Sequence, residues 1–234
     1  MKYAVLNILL GVTGTALSVA AGLWQDAHFL WGCWPAGNFF ALGAAYALRC
    51  PGMFGKRQDG TLPWWSWLVF LPLHILTLLT WHSMRLFLKE PPFAAVINDR
   101  LYAGRRLLAG ELPPGPLTVL DLTAEFSEPP GIVRRTDYRA FPILDAFTPS
   151  GAALPEYLLA LPDHQPLYIH CAQGHGRTGM VAAAWLVLKG YAASPDAAVQ
   201  MLRAVRPGIR LNTAQQDYLR ALFSHIRPET EGNR

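Results

Sequence analysis

HCAQGHGRTG, residues His170–Gly179, is the stretch that decides the fold. Its pattern fits two kinds of loop, and the fold depends on which of them is present. Its three glycines fit G-x-G-x-x-G, the turn that opens a dinucleotide-binding unit. Its Cys171, followed after five residues by Arg177, fits instead a loop that holds a phosphate group beside a thiol nucleophile. Each kind of loop follows a strand and precedes a helix, so the two interpretations can be distinguished only by residues outside the loop.

The flanking sequence favours the phosphate loop. Residues 167–170, LYIH, have the pattern of a short buried strand, and residues 177–188 have that of an apolar helix ended by Gly190. A dinucleotide site also needs an acidic residue about 20 positions further on, at the end of the next strand, to bind the ribose. The nearby acid is Asp196, which lies in a helix-cap pattern, Ser-Pro-Asp. We therefore adopt the phosphate interpretation.

This interpretation gives a role to each polar residue of the loop. The five intervening residues are enough to curl the backbone, so that its N–H groups face a phosphate at a helix N-terminus. They are Ala172, Gln173, Gly174, His175 and Gly176. The same field stabilises a thiolate at Cys171. We predict that Arg177 holds two phosphate oxygens and that Thr178 donates its hydroxyl to the sulfur.

The decapeptide resembles the H-C-x5-R-[ST] signature of the cysteine-dependent tyrosine and dual-specificity phosphatases. The resemblance extends over residues 95–226: residues 98–107 resemble the entry strand, residues 117–126 the second strand, and FPILDAF, residues 141–147, the acid loop. It implies a phosphatase fold, a covalent phosphocysteine, and neither a metal nor a cofactor. With the apolar N-terminus, the chain looks most like the lipid-phosphate branch that includes phosphatidylglycerophosphate phosphatases.

A cysteine mechanism also needs a carboxylic acid on a loop beside the pocket, to protonate the leaving group. Asp145 follows a predicted strand and lies 26 residues before Cys171, which matches the acid loop that the resemblance implies. Asp137 is the second candidate, and an ordinary solvated loop aspartate remains an alternative. Asp121 and Asp163 are the remaining candidates, and we interpret Asp163, in a short polar turn, as structural.

Two histidines lie in or beside the loop. The resemblance implies that His170 fixes the loop and tunes the thiol, which is compatible with a packed histidine at a strand end. His175 is the one titratable side chain among the five intervening residues, and the loop carries no lysine. The absence of a lysine favours a substrate with a single phosphate group.

Each of four polar residues near the C-terminus has two possible interpretations. Gln215 and Gln216 either orient the hydrolytic water or lie on an ordinary helix surface, and we favour the surface. Arg206 and Arg210 either flank the mouth of the site or cap a helix.

The first 89 residues have a different composition. Three stretches without Asp, Glu, Lys or Arg, 3–24, 28–48 and 63–81, are long enough to cross a bilayer. Seven of the eight tryptophans lie in this region, toward the ends of the stretches, where membrane interfaces favour them. We predict about three transmembrane helices in residues 1–89. A signal peptide over residues 1–21 is the alternative.

Residues 90–234 are predicted to form a phosphatase domain of the dual-specificity type. Glu90-Pro91-Pro92 marks the boundary, because paired prolines cannot continue a helix. Strand patterns alternate with helix patterns after it, which indicates an α/β fold with a central, mainly parallel sheet flanked by helices. The predicted strands cover residues 117–122, 138–143 and 167–170. The predicted helices cover residues 154–161 and 177–188, one beginning at Ser194, and one from a Thr213–Gln216 capping box to Ile226.

Net charge and cysteine content limit the partners and the cellular compartment that the chain is expected to have. Residues 1–89 hold six Lys and Arg against two acids, whereas residues 90–234 hold fourteen of each, so the predicted domain is neutral. A neutral domain excludes a nucleic-acid footprint. The three cysteines make a disulfide framework improbable, and a reactive thiol favours a cytoplasmic domain.

The sequence thus predicts an integral membrane enzyme that meets the lipid bilayer and cleaves a phosphomonoester, in first place a phospholipid headgroup. Two alternatives stay open: a tyrosine or dual-specificity phosphatase for membrane-proximal phosphoproteins, and an inactive phosphate-binding membrane module.

Overall fold

The structure, a computed structural model, describes residues 2–24, 27–87, 89–98, 100–149 and 153–224. The chain divides into two compact units. The first unit consists of Met1–Arg57, Thr61–Lys89 and Ala124–Ser127, and the second of Gln58–Gly60, Glu90–Thr123 and Glu128–Arg234. Most of the predicted membrane region therefore belongs to one unit, and most of the predicted phosphatase domain belongs to the other.

The first unit is helical. Its helices are α1 (Lys2–Trp24), α2 (Cys33–Leu48), α3 (Trp64–Val69) and α4 (Leu71–Phe87), with 3₁₀ turns at Ala27–Gly32 and Pro51–Phe54. Helices α1 and α2 pack closely through small residues. A Cβ on Gly43 would lie 3.1 Å from the Ala4 carbonyl oxygen, and one on Gly11 would lie 3.0 Å from that of Ala36. Such close backbone approach is common between helices in membranes.

One predicted span is a single long apolar helix. Within α1, Tyr3–Leu23 spans 21 residues with a mean hydropathy of 1.8, and among the described residues it is the one helix long and apolar enough to cross a membrane. The other two predicted spans are interrupted: the second stretch is a 3₁₀ turn followed by α2, and the third is divided between α3 and α4. The number of spans stays a prediction.

The interruption between α3 and α4 follows from Pro72. Proline has no N–H to donate and its ring disfavours the preceding helical turn, so the helix stops at Val69 and restarts at Leu71. Asn38, buried on α2, bridges the gap. Its side-chain amide donates to the Val69 carbonyl at 3.0 Å, and its side-chain oxygen accepts from the Leu73 N–H at 3.3 Å. The backbone groups at the break are therefore hydrogen-bonded by a residue of another helix.

Replacing this bridge should destabilise the first unit. In Asn38→Leu the buried Leu73 N–H loses its acceptor, which costs about 1–3 kcal/mol of unfolding free energy. Thermal unfolding of the full chain in detergent measures the effect. Asn7→Leu is the matched control, because Asn7 donates only to the Tyr3 carbonyl of its own helix. A melting temperature of Asn38→Leu equal to that of the unsubstituted protein would contradict the assignment.

The second unit is built on one five-stranded sheet with the order β1-β2-β5-β3-β4. The strands are β1 (Phe93–Ile97), β2 (Leu101–Arg105), β3 (Thr118–Thr123), β4 (Asp137–Ile143) and β5 (Leu167–Cys171). β1 pairs antiparallel with β2, and the other three pairs are parallel. The predicted α/β fold with a mainly parallel sheet is confirmed. The carboxyl ends of β2 to β5 meet at one edge, where α/β folds place their sites.

Among its described residues, five helices accompany the sheet: α5 (Pro130–Val133), α6 (Ala153–Leu159), α7 (Gly176–Leu188), α8 (Pro195–Val205) and α9 (Thr213–Leu222). Helix α7 is the core helix, since every residue from Arg177 to Val187 is buried. Its burial explains why it is apolar on all sides, in contrast to the amphipathic α8 and α9. The core of the unit thus fixes the position of the helix that begins within the decapeptide His170–Gly179.

Three details of the second unit differ from the sequence prediction. Strand β1 and helix α5 were not predicted. The capping box of α9 uses Asn212 and Gln215 rather than Thr213 and Gln216, one position earlier, because the Asn212 side chain accepts from the Gln215 N–H at 3.0 Å. The predicted end of α9 at Ile226 lies outside the described residues.

Candidate active site

The loop that the sequence predicts to be catalytic, residues 171–177, connects the end of β5 to the start of α7, and we call it the catalytic loop. Cys171 is the last residue of β5 and is buried, with 4% of its surface exposed. The Gly174 N–H donates to the Cys171 Sγ at 3.3 Å, so the loop curls back over the sulfur. The predicted curl is therefore present, with a backbone donor directed at the predicted nucleophile.

The carbonyl groups of the loop are held from outside. The Arg106 N–H donates to the carbonyl oxygens of Cys171, at 2.7 Å, and Ala172, at 3.3 Å. The Arg206 guanidinium donates to those of Gln173, at 3.1 Å, and Gly174, at 2.9 Å. In a trans peptide the N–H points opposite to the preceding C=O. Four outward carbonyls therefore turn four successive N–H groups toward the other face of the loop.

Gly174 is the position where the loop requires glycine. Its φ of +76° lies in the left-handed region. A Cβ there would lie 2.6 Å from the Arg105 nitrogen and closer still to the Gly104 carbonyl group, both on strand β2. Gly179, one turn into α7, is required for packing, since its Cβ would lie 2.7 Å from the Ile209 side chain. Two of the three glycines thus set how closely the loop and helix approach their neighbours.

Arg177 is buried at the first turn of α7, with 1% of its side chain exposed. Its Nη1 donates to the Ile143 carbonyl at the end of β4, at 2.9 Å, and its Nη2 lies 3.2 Å from Asp145 Oδ1. Strand ends and α7 therefore fix the guanidinium at the carboxyl edge of the sheet. In the structure, the two predicted catalytic residues Arg177 and Asp145 form an ion pair.

Asp145 lies in the loop after β4 and is the most exposed member of the site, with 71% of its side chain accessible. Helix α9 holds this loop: the Asn212 side-chain amide donates to the Ala146 carbonyl at 2.8 Å, and that of Gln215 to the Phe147 carbonyl at 3.4 Å. The carboxylate thus extends into solvent from an anchored loop.

The other candidate acids lie elsewhere. Asp137 is the first residue of β4 and Ile143, which contacts Arg177, is the last. The length of the strand therefore separates Asp137 from the site by roughly 20 Å. Asp163 pairs with Lys189 Nζ at 2.8 Å beyond the C-terminal end of α7. Asp121 is fully buried and accepts from Thr123 and from the Tyr138 hydroxyl, at 2.8 Å each. Asp145, by contrast, contacts Arg177 directly.

Thr178 and His170 support the loop from within the protein. The Thr178 hydroxyl donates to the Gly104 carbonyl at 3.3 Å, so its predicted donation to the sulfur stays a prediction. His170 is buried and stacks on Tyr168, with ring centroids 5.4 Å apart. Its Nδ1 lies 3.9 Å from Asp121 Oδ1 and its Nε2 lies 4.0 Å from Glu128 Oε1. The residue before the nucleophile is thus enclosed by two buried carboxylates.

Asp121, Glu128 and His170 bring potential metal-ligating atoms within 4.8 Å of one another. Both carboxylates already have protein partners: Thr123 and Tyr138 donate to Asp121, and Arg106 forms an ion pair with Glu128, with Nε 3.3 Å from Oε2. A neighbouring guanidinium disfavours a cation. We therefore interpret the group as a buried polar network behind the nucleophile rather than as a metal site.

Sequence reasoning left several supporting residues unassigned. Arg206 is the C-cap of α8, as one of its two interpretations held, and its buried side chain is in addition bonded to the loop carbonyls, a contact that was not predicted. Gln215 is buried as well, so the favoured helix-surface interpretation is wrong for it. Arg106 and Glu90 were not singled out, and their contacts with the loop come from distant sequence positions. The paired prolines after Glu90 were the one local signal near that residue.

Comparisons with known proteins agree with this arrangement. Residues 115–219 match a family model described as Swiss Army Knife protein, DSP-PTPase phosphatase domain. Over 100 residues the chain is 32% identical to protein 197R of Invertebrate iridescent virus 6, named as a tyrosine phosphatase. That match covers 39% of this chain and 36% of the viral protein, so the chain spans about a third of the length of that relative.

Solved structures match 58% of this chain. The Tk-PTP structure is 26% identical with a TM-score of 0.49 and is covered over 99% of its length. Human DUSP28 is 19% identical with a TM-score of 0.46 and is covered over 95%. PTPMT1 in complex with PI(5)P is 16% identical with a TM-score of 0.47 and is covered over 96%.

Proposed function

We propose that this chain, whose C-terminal domain belongs to the cysteine-dependent dual-specificity phosphatase superfamily, hydrolyses phosphomonoesters through a phosphocysteine intermediate. The observation that carries the proposal is the loop around Cys171. Its four outward carbonyls turn the N–H groups to the inner face, and one of these already donates to the sulfur. Such a row of donors binds a phosphate dianion and stabilises a thiolate.

In the first step the Cys171 thiolate attacks phosphorus and forms an S–P bond. The P–O bond to the alcohol breaks, and Asp145 gives its proton to the leaving oxygen. Arg177 and the loop N–H groups hold the three remaining oxygens as charge shifts among them. In the substrate-free protein the Asp145 carboxylate pairs with Arg177, so the substrate phosphate competes with this ion pair, and Asp145 carries a proton when it acts as the acid.

In the second step water attacks the phosphocysteine. Asp145, now a carboxylate, takes a proton from the water, the S–P bond breaks, and the thiolate leaves with inorganic phosphate as the product. Gln215 is a candidate to position this water, since its amide lies next to Gly176 and bonds to the acid loop. Thr178 is the candidate donor to the departing sulfur, and His170 supports the strand end. No step needs a metal or cofactor.

We further propose a phospholipid headgroup monoester as the substrate. The first unit exposes large apolar side chains over many positions, which suits a lipid environment rather than water. Leu23, Leu48, Trp64, Leu86 and Phe87 are between 76% and 80% exposed. Glu90 follows the end of α4 by only three positions, so the chain leaves the apolar helices and enters the phosphatase domain at once. We place the bilayer around the first unit and the domain on the cytoplasmic side, where a free thiol such as Cys171 persists.

The second candidate is a tyrosine or dual-specificity phosphatase that acts on membrane-proximal phosphoproteins. The observation in its favour is the sequence match to a viral protein named as a tyrosine phosphatase. An inactive phosphate-binding membrane module is disfavoured, because thiol, guanidinium and acid are all present at one edge of the sheet.

Phosphate release from a panel of substrates tests the function. The full chain in mixed micelles is offered phospholipid monoesters and, separately, phosphotyrosyl and phosphoseryl peptides at equal phosphate concentration. We expect kcat/KM for a phospholipid monoester to exceed that for the best peptide by at least about 10-fold, because only the lipid gains from concentration at the micelle surface. A preference for peptides would establish the second candidate instead. Absence of release from every substrate would contradict both.

A further inference from the structure

Three side chains contact the outer face of the catalytic loop, and we call them the loop bracket: Glu90, His175 and Arg206. Glu90 Oε2 lies 2.7 Å from the Nε2 of His175, which is itself a loop residue, and 3.4 Å from Arg206 Nη2. A single carboxylate therefore contacts both the loop and the side chain that bonds to the loop carbonyls.

Arg206 is the part of the bracket that bonds to the backbone. It is 3% exposed, and besides the carbonyls of Gln173 and Gly174 it donates to that of Pro91 at 2.9 Å. A buried guanidinium is destabilising unless an anion compensates its charge. Glu90 supplies that anion, and the adjacent Pro91 carbonyl ties the same segment to the guanidinium.

The bracket is packed without spare room. A Cβ on Gly208, in the turn after α8, would lie 2.5 Å from Glu90 Oε1 and 2.6 Å from His175 Nε2. Burial raises the pKa of Glu90, but the hydrogen bond and charge of His175 and the charge of Arg206 outweigh burial and hold that pKa below its usual range. Glu90 thus remains a carboxylate near neutral pH and keeps both contacts.

We propose that Glu90 is a positioning residue for the catalytic loop: by fixing Arg206 and His175 it keeps the carbonyls of Gln173 and Gly174 outward. The N–H groups of Gly174 and His175, which follow those carbonyls, are thereby kept toward the phosphate. This inference rests on the proposed phosphatase function. Glu90 touches no reacting atom and acts on the anion through the loop backbone.

Glu90→Gln tests the proposal, because it keeps the size of the side chain and removes its charge. The assays are kcat and KM for an aryl phosphate and the inhibition constant of tungstate, an oxyanion that occupies the phosphate position. We expect the tungstate constant to rise and kcat to fall by about 10-fold, less than the ~100-fold that a 1 Å misplacement of a reacting group costs. Glu90→Asp, which restores the charge on a shorter side chain, should recover part of both.

The matched control is Glu156→Gln, which changes an exposed glutamate in the first turn of α6 and should leave both constants unchanged. A merely structural role for Glu90 would lower the melting temperature and the fraction of active enzyme, but the tungstate constant of the folded enzyme would not move. An unchanged tungstate constant in Glu90→Gln therefore overturns the proposal.

A double-mutant cycle identifies the route of the effect. If Glu90 acts partly through its contact with His175, Glu90→Gln and His175→Asn combine to a smaller increase in the tungstate constant than the product of the single increases. Multiplicative effects would overturn the part of the proposal that involves His175. Tungstate protection of Cys171 from alkylation gives the same constants without turnover. It reports on the bracket even if no phosphomonoester is hydrolysed, so failure of the two proposals can be told apart.

Discussion

Cys171→Ser is expected to lower phosphate release by at least about 10⁴-fold, the scale on which loss of a nucleophile acts in covalent catalysis. A serine hydroxyl is not ionised near neutral pH, and no base among the described residues is seen bonded to Cys171 to activate it. The sulfur accepts from the Gly174 N–H, a contact that stabilises an anion but does not remove a proton. Malachite-green detection of phosphate from the best substrate measures the loss.

The same substitution should leave binding intact. The loop donors and Arg177 remain in place, so Cys171→Ser should keep a tungstate dissociation constant within about 3-fold of the unsubstituted protein, by calorimetry, since one altered hydrogen bond is a modest effect. Cys50→Ser is the control for general effects of thiol removal, because Cys50 is an exposed thiol of the first unit. Residual turnover of Cys171→Ser near that of Cys50→Ser would show that the nucleophile lies elsewhere.

Asp145→Asn is expected to lower kcat by about 10²–10⁴-fold for an alkyl phosphate, the range typical of a lost general acid. An alkoxide leaves poorly without a proton, whereas a nitrophenolate leaves readily. The loss should therefore be much smaller for nitrophenyl phosphate, and the ratio of the two rates is the diagnostic quantity. Stopped assays on both esters, at equal enzyme concentration, give that ratio.

Two other aspartates serve as controls for this experiment. Asp163→Asn breaks an exposed ion pair with Lys189 beyond the far end of α7, and Asp137→Asn breaks one with Arg139 at the start of β4. Neither should change the ratio between the two esters. Equal losses for both esters in Asp145→Asn would mean that Asp145 affects binding through Arg177 and is not the proton donor.

The catalytic loop and the sheet could be predicted because their signals are local. A buried strand, a thiol, a glycine in the left-handed region and an arginine at a helix start all lie within eleven consecutive residues. Asp145 could be placed for a similar reason, since it directly follows a strand whose carboxyl end lies at the same edge. Residues that follow neighbouring parallel strands lie at the same edge of the sheet, so their sequence positions predict that they are close together.

The bracket and the broken helix could not be predicted, because their contacts join distant positions. Glu90 and His175 are 85 residues apart, Arg206 and Gly174 are 32 apart, and Asn38 and Val69 are 31 apart. Pro72 signals that a helix is interrupted there, but nothing local shows that an asparagine on another helix satisfies the interruption. Likewise, the capping box was shifted by one position because Asn212 and Thr213 are both acceptable caps.

The position of Glu90 determines where the chain should be truncated to give a water-soluble form of this enzyme. A fragment that removes the apolar helices and begins at the first β-strand would discard the glutamate, the Pro91 carbonyl and with them two acceptors of Arg206. Such a preparation would retain every reacting group and still underestimate the catalytic rate. A cleavage point placed before Lys89 would spare the carboxylate, and the two fragments compared side by side would reveal how much activity a short leader contributes.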